Sequence, residues 1–306
     1  MSGRIDVHAH FLPDEYRAEA IAAGHQHPDG MPALPEWSAD EHVAAMDRLG
    51  IDMALLSLSS PGVDFGDAAA ARTLARVVND AGAAAVAQHP MRLRQFAALP
   101  LPDVDGALTE LAYAYDTLDV VGVALLTHTD GVYLGDPQLD PLFDDLNRRQ
   151  ARVFIHPTSP VCWEQTSLGR PRPMLEFLFD TTRAVVNLVL NGTIARYPDV
   201  EFIVPHAGAT LPVIADRVTA FARVLSEVAP DADVLRDLRR LHYDLAGYPV
   251  PRQLDALLAI TTADHLLYGS DYPFTPELVV GRLAPQLDHI GETLRGNAQR
   301  LFTETR

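Results

Sequence analysis

Eight short runs of strand-like, largely apolar residues recur along the 306-residue chain, at residues 4–8, 53–58, 95–99, 120–125, 152–156, 201–205, 241–245 and 265–269. Most are followed by a segment whose apolar positions repeat with helical periodicity. Such an alternation predicts the α/β class and a closed TIM (β/α)8 barrel. An open doubly wound sheet is the rival, but its glycine-rich phosphate loop does not follow the first strand here. Helices are predicted over residues 40–49, 66–88, 105–118, 140–150, 174–197, 211–228 and 251–262, with two more in the tail at 276–302. No internal repeat or low-complexity linker divides the chain, so residues 1–306 are expected to form a single domain.

A parallel barrel gathers the carboxyl ends of distant strands onto one face, and there the sequence places groups that bind metals. His8 and His10 end the first strand, His156 ends the fifth, and Asp271 follows the eighth. One histidine at a strand end is ordinarily a hydrogen-bonded histidine and nothing more. A His-x-His pair differs, because side chains repeat every second residue along a strand and the two rings share a face. Three imidazoles and a carboxylate suit a single borderline divalent cation such as zinc. All 24 positive side chains are arginine. Without lysine there is no Schiff base, no P-loop lysine and no carbamylated lysine to bridge a second metal.

Two proline-rich insertions, residues 11–39 and 157–173, follow strands that end in proposed ligands. Both are expected over the active mouth, where barrel enzymes keep their specificity loops. Phe11, Phe65, Trp163, Tyr272 and Phe274 lie on the loops around that mouth and could bind a flat apolar ring, although packing is the commoner use of such residues. His128, just past the fourth strand, could also reach a substrate.

Formal charge is −17, which disfavours nucleic acid and anionic membrane surfaces as partners. Cys162 is the only cysteine, which excludes an intramolecular disulfide and a cysteine-based metal site. No basic-then-apolar leader opens the chain and no run of about twenty apolar residues suggests a membrane span. A cytoplasmic enzyme is expected.

Several segments resemble the amidohydrolase superfamily, in the branch of aminocarboxymuconate-semialdehyde decarboxylase and the hydroxybenzoate decarboxylases. They are Ile5-Asp6-Val7-His8-Ala9-His10, Met46-Asp47-Arg48-Leu49-Gly50-Ile51, Ile155-His156-Pro157, Pro205-His206-Ala207-Gly208 with Leu211-Pro212, and Tyr268-Gly269-Ser270-Asp271-Tyr272-Pro273. Asp180-Thr181-Thr182-Arg183 and the stretch from Gly192 to Pro198 further resemble methylsalicylate decarboxylases. The resemblance implies that His8, His10, His156 and Asp271 hold the metal and that His206 stands near the reacting carbon or a metal-bound water. It also implies that Arg217 reaches a substrate carboxylate in a neighbouring subunit's site, hence a homodimer. Some hydroxybenzoate decarboxylases have Glu where this chain has His8, and the likeness to the zinc-dependent semialdehyde decarboxylase that His8 gives implies zinc first and manganese second. His42 stands where the semialdehyde decarboxylases carry a substrate-binding arginine, which disfavours a dicarboxylate substrate.

The expected reaction is non-oxidative decarboxylation of a small salicylate-type aromatic acid, with Asp271 as the acid that protonates the ring carbon and His206 tuning it. The same ligand set also serves hydrolysis of a lactone or ester, or hydration of an unsaturated dicarboxylate. A catalytically dead scaffold would ordinarily have lost part of the ligand set.

Overall fold

The structure, a computed structural model, describes residues 3–224 and 232–303. Eight parallel strands form one sheet in chain order: β1 (Arg4–His10), β2 (Ile51–Ser57), β3 (Leu93–Ala98), β4 (Gly122–Leu126), β5 (Arg152–His156), β6 (Glu201–Val204), β7 (His242–Asp244) and β8 (Leu266–Leu267). The sheet closes on itself. The Val7 N–H donates to the Tyr268 carbonyl at 2.9 Å and the His10 N–H to the Tyr272 carbonyl at 2.7 Å. Asp6, buried beside this seam, accepts from the backbone N–H groups of His8 (3.1 Å) and Ser270 (3.0 Å). The predicted (β/α)8 barrel is therefore present.

Its interior is filled by Ile5, Val7, Leu55, Phe96, Phe154, Ile203 and Leu267, with Ala298 and Leu301 of the C-terminal helix Gly291–Thr303 packed in the same cluster. Simple alternation along β1 would turn His8 and His10 away from the side that Ile5 and Val7 occupy. Yet the His8 ring lies 4.8 Å from that of Phe154, inside the barrel. A register shift between Asp6 and Ala9 reconciles the two, because an extra residue in a strand re-aims the side chains beyond it.

Three of the outer helices begin where a side chain receives a free N–H group. Ser38 accepts from Glu41 N–H ahead of Ala39–Leu49, Asp67 from Ala70 N–H ahead of Ala68–Gln88, and Asp103 from Gly106 N–H ahead of Val104–Thr117. Two predicted helices are shorter than expected. Residues 174–197 divide into Glu176–Leu190 and Thr193–Arg196, because Gly192 takes φ +71° and ends the first piece. Residues 251–262 contain only Gln253–Leu257. The helix predicted to reach residue 228 is Leu211–Val224, and its remaining positions lie outside the described residues.

The first insertion contains a helix, Asp14–Ala22, that the prolines around it concealed. The second contains the short turn Trp163–Thr166. Among the described residues, no helix is long and apolar enough to cross a membrane.

Candidate metal centre and its cavity

At the carboxyl end of the barrel one ligand atom from each of His8, His10, His156 and Asp271 comes within 4.8 Å of the other three. Nε2 of His8 and Nε2 of His10 are 3.1 Å apart, and Asp271 Oδ1 lies 3.5 and 3.2 Å from them. Donors bound to zinc at about 2.0–2.1 Å in a tetrahedron sit about 3.3 Å from one another. Two imidazole lone pairs facing each other at this range need a proton or a cation between them. The donor set therefore fits a divalent cation.

The opposite nitrogens explain why the rings point this way. His8 Nδ1–H donates to Asp244 Oδ2 at 2.9 Å, His10 Nδ1–H to the Ser57 carbonyl at 3.2 Å, and His156 Nδ1–H to the Pro157 carbonyl at 2.7 Å. Each partner is an acceptor, so Nδ1 carries a hydrogen and Nε2 is left as the atom that a cation would take. Burial pulls the His10 and His156 rings below the ordinary imidazole range and keeps them neutral. Burial also acts downward on His8, but the Asp244 carboxylate outweighs it and holds the ring above that range. Burial would raise Asp271, but the His10 and His8 imidazoles beside Oδ1 hold its carboxyl well below the usual value.

His206 sits 5.1 Å from His8, ring to ring, on the turn after β6. His206, Ala207, Ala209 and Asp271 all have φ between +52° and +60°, a left-handed conformation that non-glycine residues adopt only when their surroundings impose it. The Gln253 side-chain amide holds the 206–209 turn by donating to the carbonyls of His206 (2.6 Å) and Ala209 (3.0 Å). Asp244 Oδ1 accepts from the His206 N–H at 3.2 Å and the Ala246 N–H at 2.9 Å, so this one buried carboxylate fixes both His8 and His206. His206 Nδ1 is buried and makes no hydrogen bond to the described residues.

A cavity of about 360 Å³ opens above these groups, with His156, His206 and Asp271 in its floor. Pro28, Met31, Pro173, Met174, Phe177, Leu178 and Phe274 give it apolar walls, and Ser59, Ser60, Thr275 and Tyr248 add hydroxyls. Both insertions contribute, as expected. Of the aromatic residues proposed for ring binding, Phe274 lines the cavity.

The other proposed substrate contacts are turned elsewhere. Phe11 is fully buried and packs edge-on against Trp37 at 5.8 Å. Tyr272 packs against His42 at 5.0 Å, and Phe65 stacks on His25 at 5.0 Å. Trp163 lies beneath the Arg172 guanidinium at 4.1 Å. His128 is buried, bonded to the Ser159 carbonyl at 3.1 Å and tilted against Tyr133 at 4.8 Å. These rings stand on loops that follow barrel strands, but local packing partners claim them first. Arg217 is exposed on the helix Leu211–Val224 with its guanidinium over the Phe221 ring at 4.9 Å, outside this chain's own cavity.

Sequence reasoning passed over Asp244, Ser57 and Gln253, which orient the centre rather than face it. The one available signal was the position of Asp244 at the carboxyl end of the seventh strand.

Residues 5–302 match the amidohydrolase family, and the chain belongs to it. It is 34% identical over 301 residues to decarboxylase yanB of Aspergillus niger, covering 93% of this chain and 81% of that one. It is 32% identical over 291 residues to the 6-methylsalicylic acid decarboxylase of Penicillium expansum, covering 93% of this chain and 89% of the other. Among solved structures, the dihydroxybenzoic acid decarboxylase of Polaromonas sp. JS666, with bound manganese and the inhibitor 2-nitroresorcinol, is similar with a TM-score of 0.84. That alignment is 23% identical and covers 100% of this chain and 98% of the other, a likeness of fold.

Proposed function

We propose that this chain is a metal-dependent, non-oxidative decarboxylase of a small ortho-hydroxy aromatic acid. The observation that carries this is a cation-sized cluster of three imidazoles and a carboxylate at the base of a small, apolar-walled cavity. The decarboxylases among its full-length relatives support it.

His8, His10, His156 and Asp271 would hold the ion. When bound, a divalent cation supplies Lewis acidity to a carboxylate and a neighbouring phenolic oxygen and fixes the plane of the ring. Zinc is the first choice on the nitrogen-rich donor set, and manganese, the ion bound in the Polaromonas decarboxylase, is the second.

Breaking the bond between ring and carboxylate releases carbon dioxide and leaves the electron pair on the ring carbon, which must take a proton. Asp271 lies at the cavity floor and is the proposed donor. With the phenol of the incoming acid acidified by a cation held here, Asp271 could take that proton and then deliver it to the ring carbon. The product leaves as a phenolate that solvent reprotonates. His206, held neutral by burial, borders the same floor and positions the reacting edge. Phe274 and Phe177 supply faces for the ring, and the apolar wall limits water at the developing negative carbon.

The active unit is proposed to be a homodimer. No arginine lines the cavity within one chain, while Arg217 stands exposed, without an ion pair among the described residues, beside the exposed apolar side chains of Val213, Phe221 and Val224. A surface of this kind marks a protein interface, and Arg217 would enter the neighbouring copy's site from it.

Metal analysis, followed by an assay of carbon dioxide release from salicylate-type acids with the zinc- and manganese-loaded protein, tests the proposal. Release of carbon dioxide with formation of the matching phenol is expected. Hydrolysis of aryl lactones without any decarboxylation would replace this reading with the hydrolytic one.

A further inference from the structure

The substrate cavity contains two carboxylates of very different placement. Asp271 belongs to the metal cluster in the floor, whereas Asp29 comes from the first insertion, in the roof, among Pro28, Met31 and Met174. Asp29 is only partly buried, but a carboxylate on the wall of a pocket that receives an anionic acid repels the charged end of that acid and selects for what can lie beside it.

Its surroundings fix it as a hydrogen-bond acceptor. Arg172 Nε donates to Ser159 Oγ at 3.0 Å, and an arginine N–H can only donate. The single hydrogen of Ser159 is thereby committed to its other partner, Asp29 Oδ1. Arg172 is itself restrained, stacked on the Trp163 ring at 4.1 Å. Asp29 takes φ +54° and Gly30 φ +77°, so this turn is held in a left-handed form, and Gly30 leaves room for the guanidinium that a Cβ there would strike at 2.7 Å. The second carboxylate oxygen, Oδ2, makes no hydrogen bond to the described residues.

We propose that Asp29 determines specificity: it accepts a hydrogen bond from a ring hydroxyl remote from the reacting carboxylate and rejects a ring bearing a second carboxylate there. The preferred substrate is then an ortho-hydroxy aromatic acid with a further hydroxyl on its far edge. This rests on the decarboxylase reading, and it gives Trp163 a role in holding Arg172 rather than in touching substrate.

The test compares 2-hydroxybenzoate with its 4-hydroxy, 5-hydroxy and 5-carboxy derivatives, using the metal-loaded full chain and the variants Asp29→Ala, Asp29→Asn and Ser159→Ala. Binding of phenol, resorcinol and hydroquinone is followed in parallel by calorimetry, without turnover. Asp29→Ala should lower kcat/KM for the favoured dihydroxy acid about ten- to a hundredfold, the worth of a hydrogen bond to a charged group, and alter the parent acid far less. Ser159→Ala should lose part of the same preference, and Asp29→Asn should admit the 5-carboxy acid. The affinity gap between phenol and the better diphenol should shrink likewise in Asp29→Ala. An unchanged dihydroxy-to-parent ratio in both Asp29 variants, each with a native melting profile, overturns the proposal. Absence of decarboxylation with a diphenol preference still lost in Asp29→Ala would sink the reaction but leave the recognition role standing.

Discussion

At the scale of single residues, the centre separates groups that face the cation position from groups that aim them. Asp271 is given two duties, ligand and proton carrier. Asp271→Asn should therefore lower kcat by about 10²–10⁴-fold, the usual worth of a positioned acid, even when assayed at saturating metal. A loss that added metal fully reverses would reduce Asp271 to a ligand. Asp244 never meets the substrate cavity, yet it receives the His8 ring and the His206 backbone. Asp244→Asn keeps the shape but can turn an N–H toward His8, so metal affinity should drop about 10–100-fold, read by competition with a chelator. Full affinity in that variant would show that ring orientation comes from packing alone.

At the scale of elements, strands bring the ligands together only because neighbours approach closely and loops return at fixed angles. Gly122 on β4 illustrates this. A methyl group there would overlap the Arg152 carbonyl oxygen on β5 and crowd Phe96 on β3. Gly122→Ala should destabilise the protein by about 1–3 kcal/mol, the ordinary cost of overpacking, measured as a lowered denaturation midpoint. Because β5 ends in His156, the same change should also weaken metal retention, and wild-type stability would contradict the close strand contact. The register shift in β1 works in the same way. It lets apolar Val7 fill the barrel while His8 and His10 still reach its mouth.

At the scale of the whole molecule, an ion held by the buried rings of β1 and β5 would be part of the stability of the fold. A ligand that binds only the folded state at a hundredfold excess over its Kd adds about 2.7 kcal/mol. Chelation should accordingly lower Tm by several degrees, and zinc or manganese should restore it; an unmoved Tm would deny a structural site. Assembly is the second property at this scale. The exposed Phe221, Val213 and Val224 beside Arg217 predict a dimer in sedimentation, and Phe221→Glu should shift it toward monomer. Arg217→Ala should leave the dimer intact and raise KM for the anionic acid. A wild-type chain that sediments as a monomer while fully active would remove the shared arginine.

The sequence by itself determined the eightfold alternation, the strand ends that carry His8, His10, His156 and Asp271, and the insertions above them, because each is encoded locally by periodicity, prolines and ligand spacing. Only the tertiary structure decided what those features face. Phe11, Trp163, Tyr272 and His128 stand on mouth loops just as Phe274 does, but side-chain direction depends on partners that only folding brings alongside, and Trp37, Arg172, His42 and Tyr133 draw those four aside. Asp244 was illegible for the same reason. Its importance is a contact with His8 across a separation of 236 residues, and no local pattern records which strand end will lie beside which until the barrel has closed.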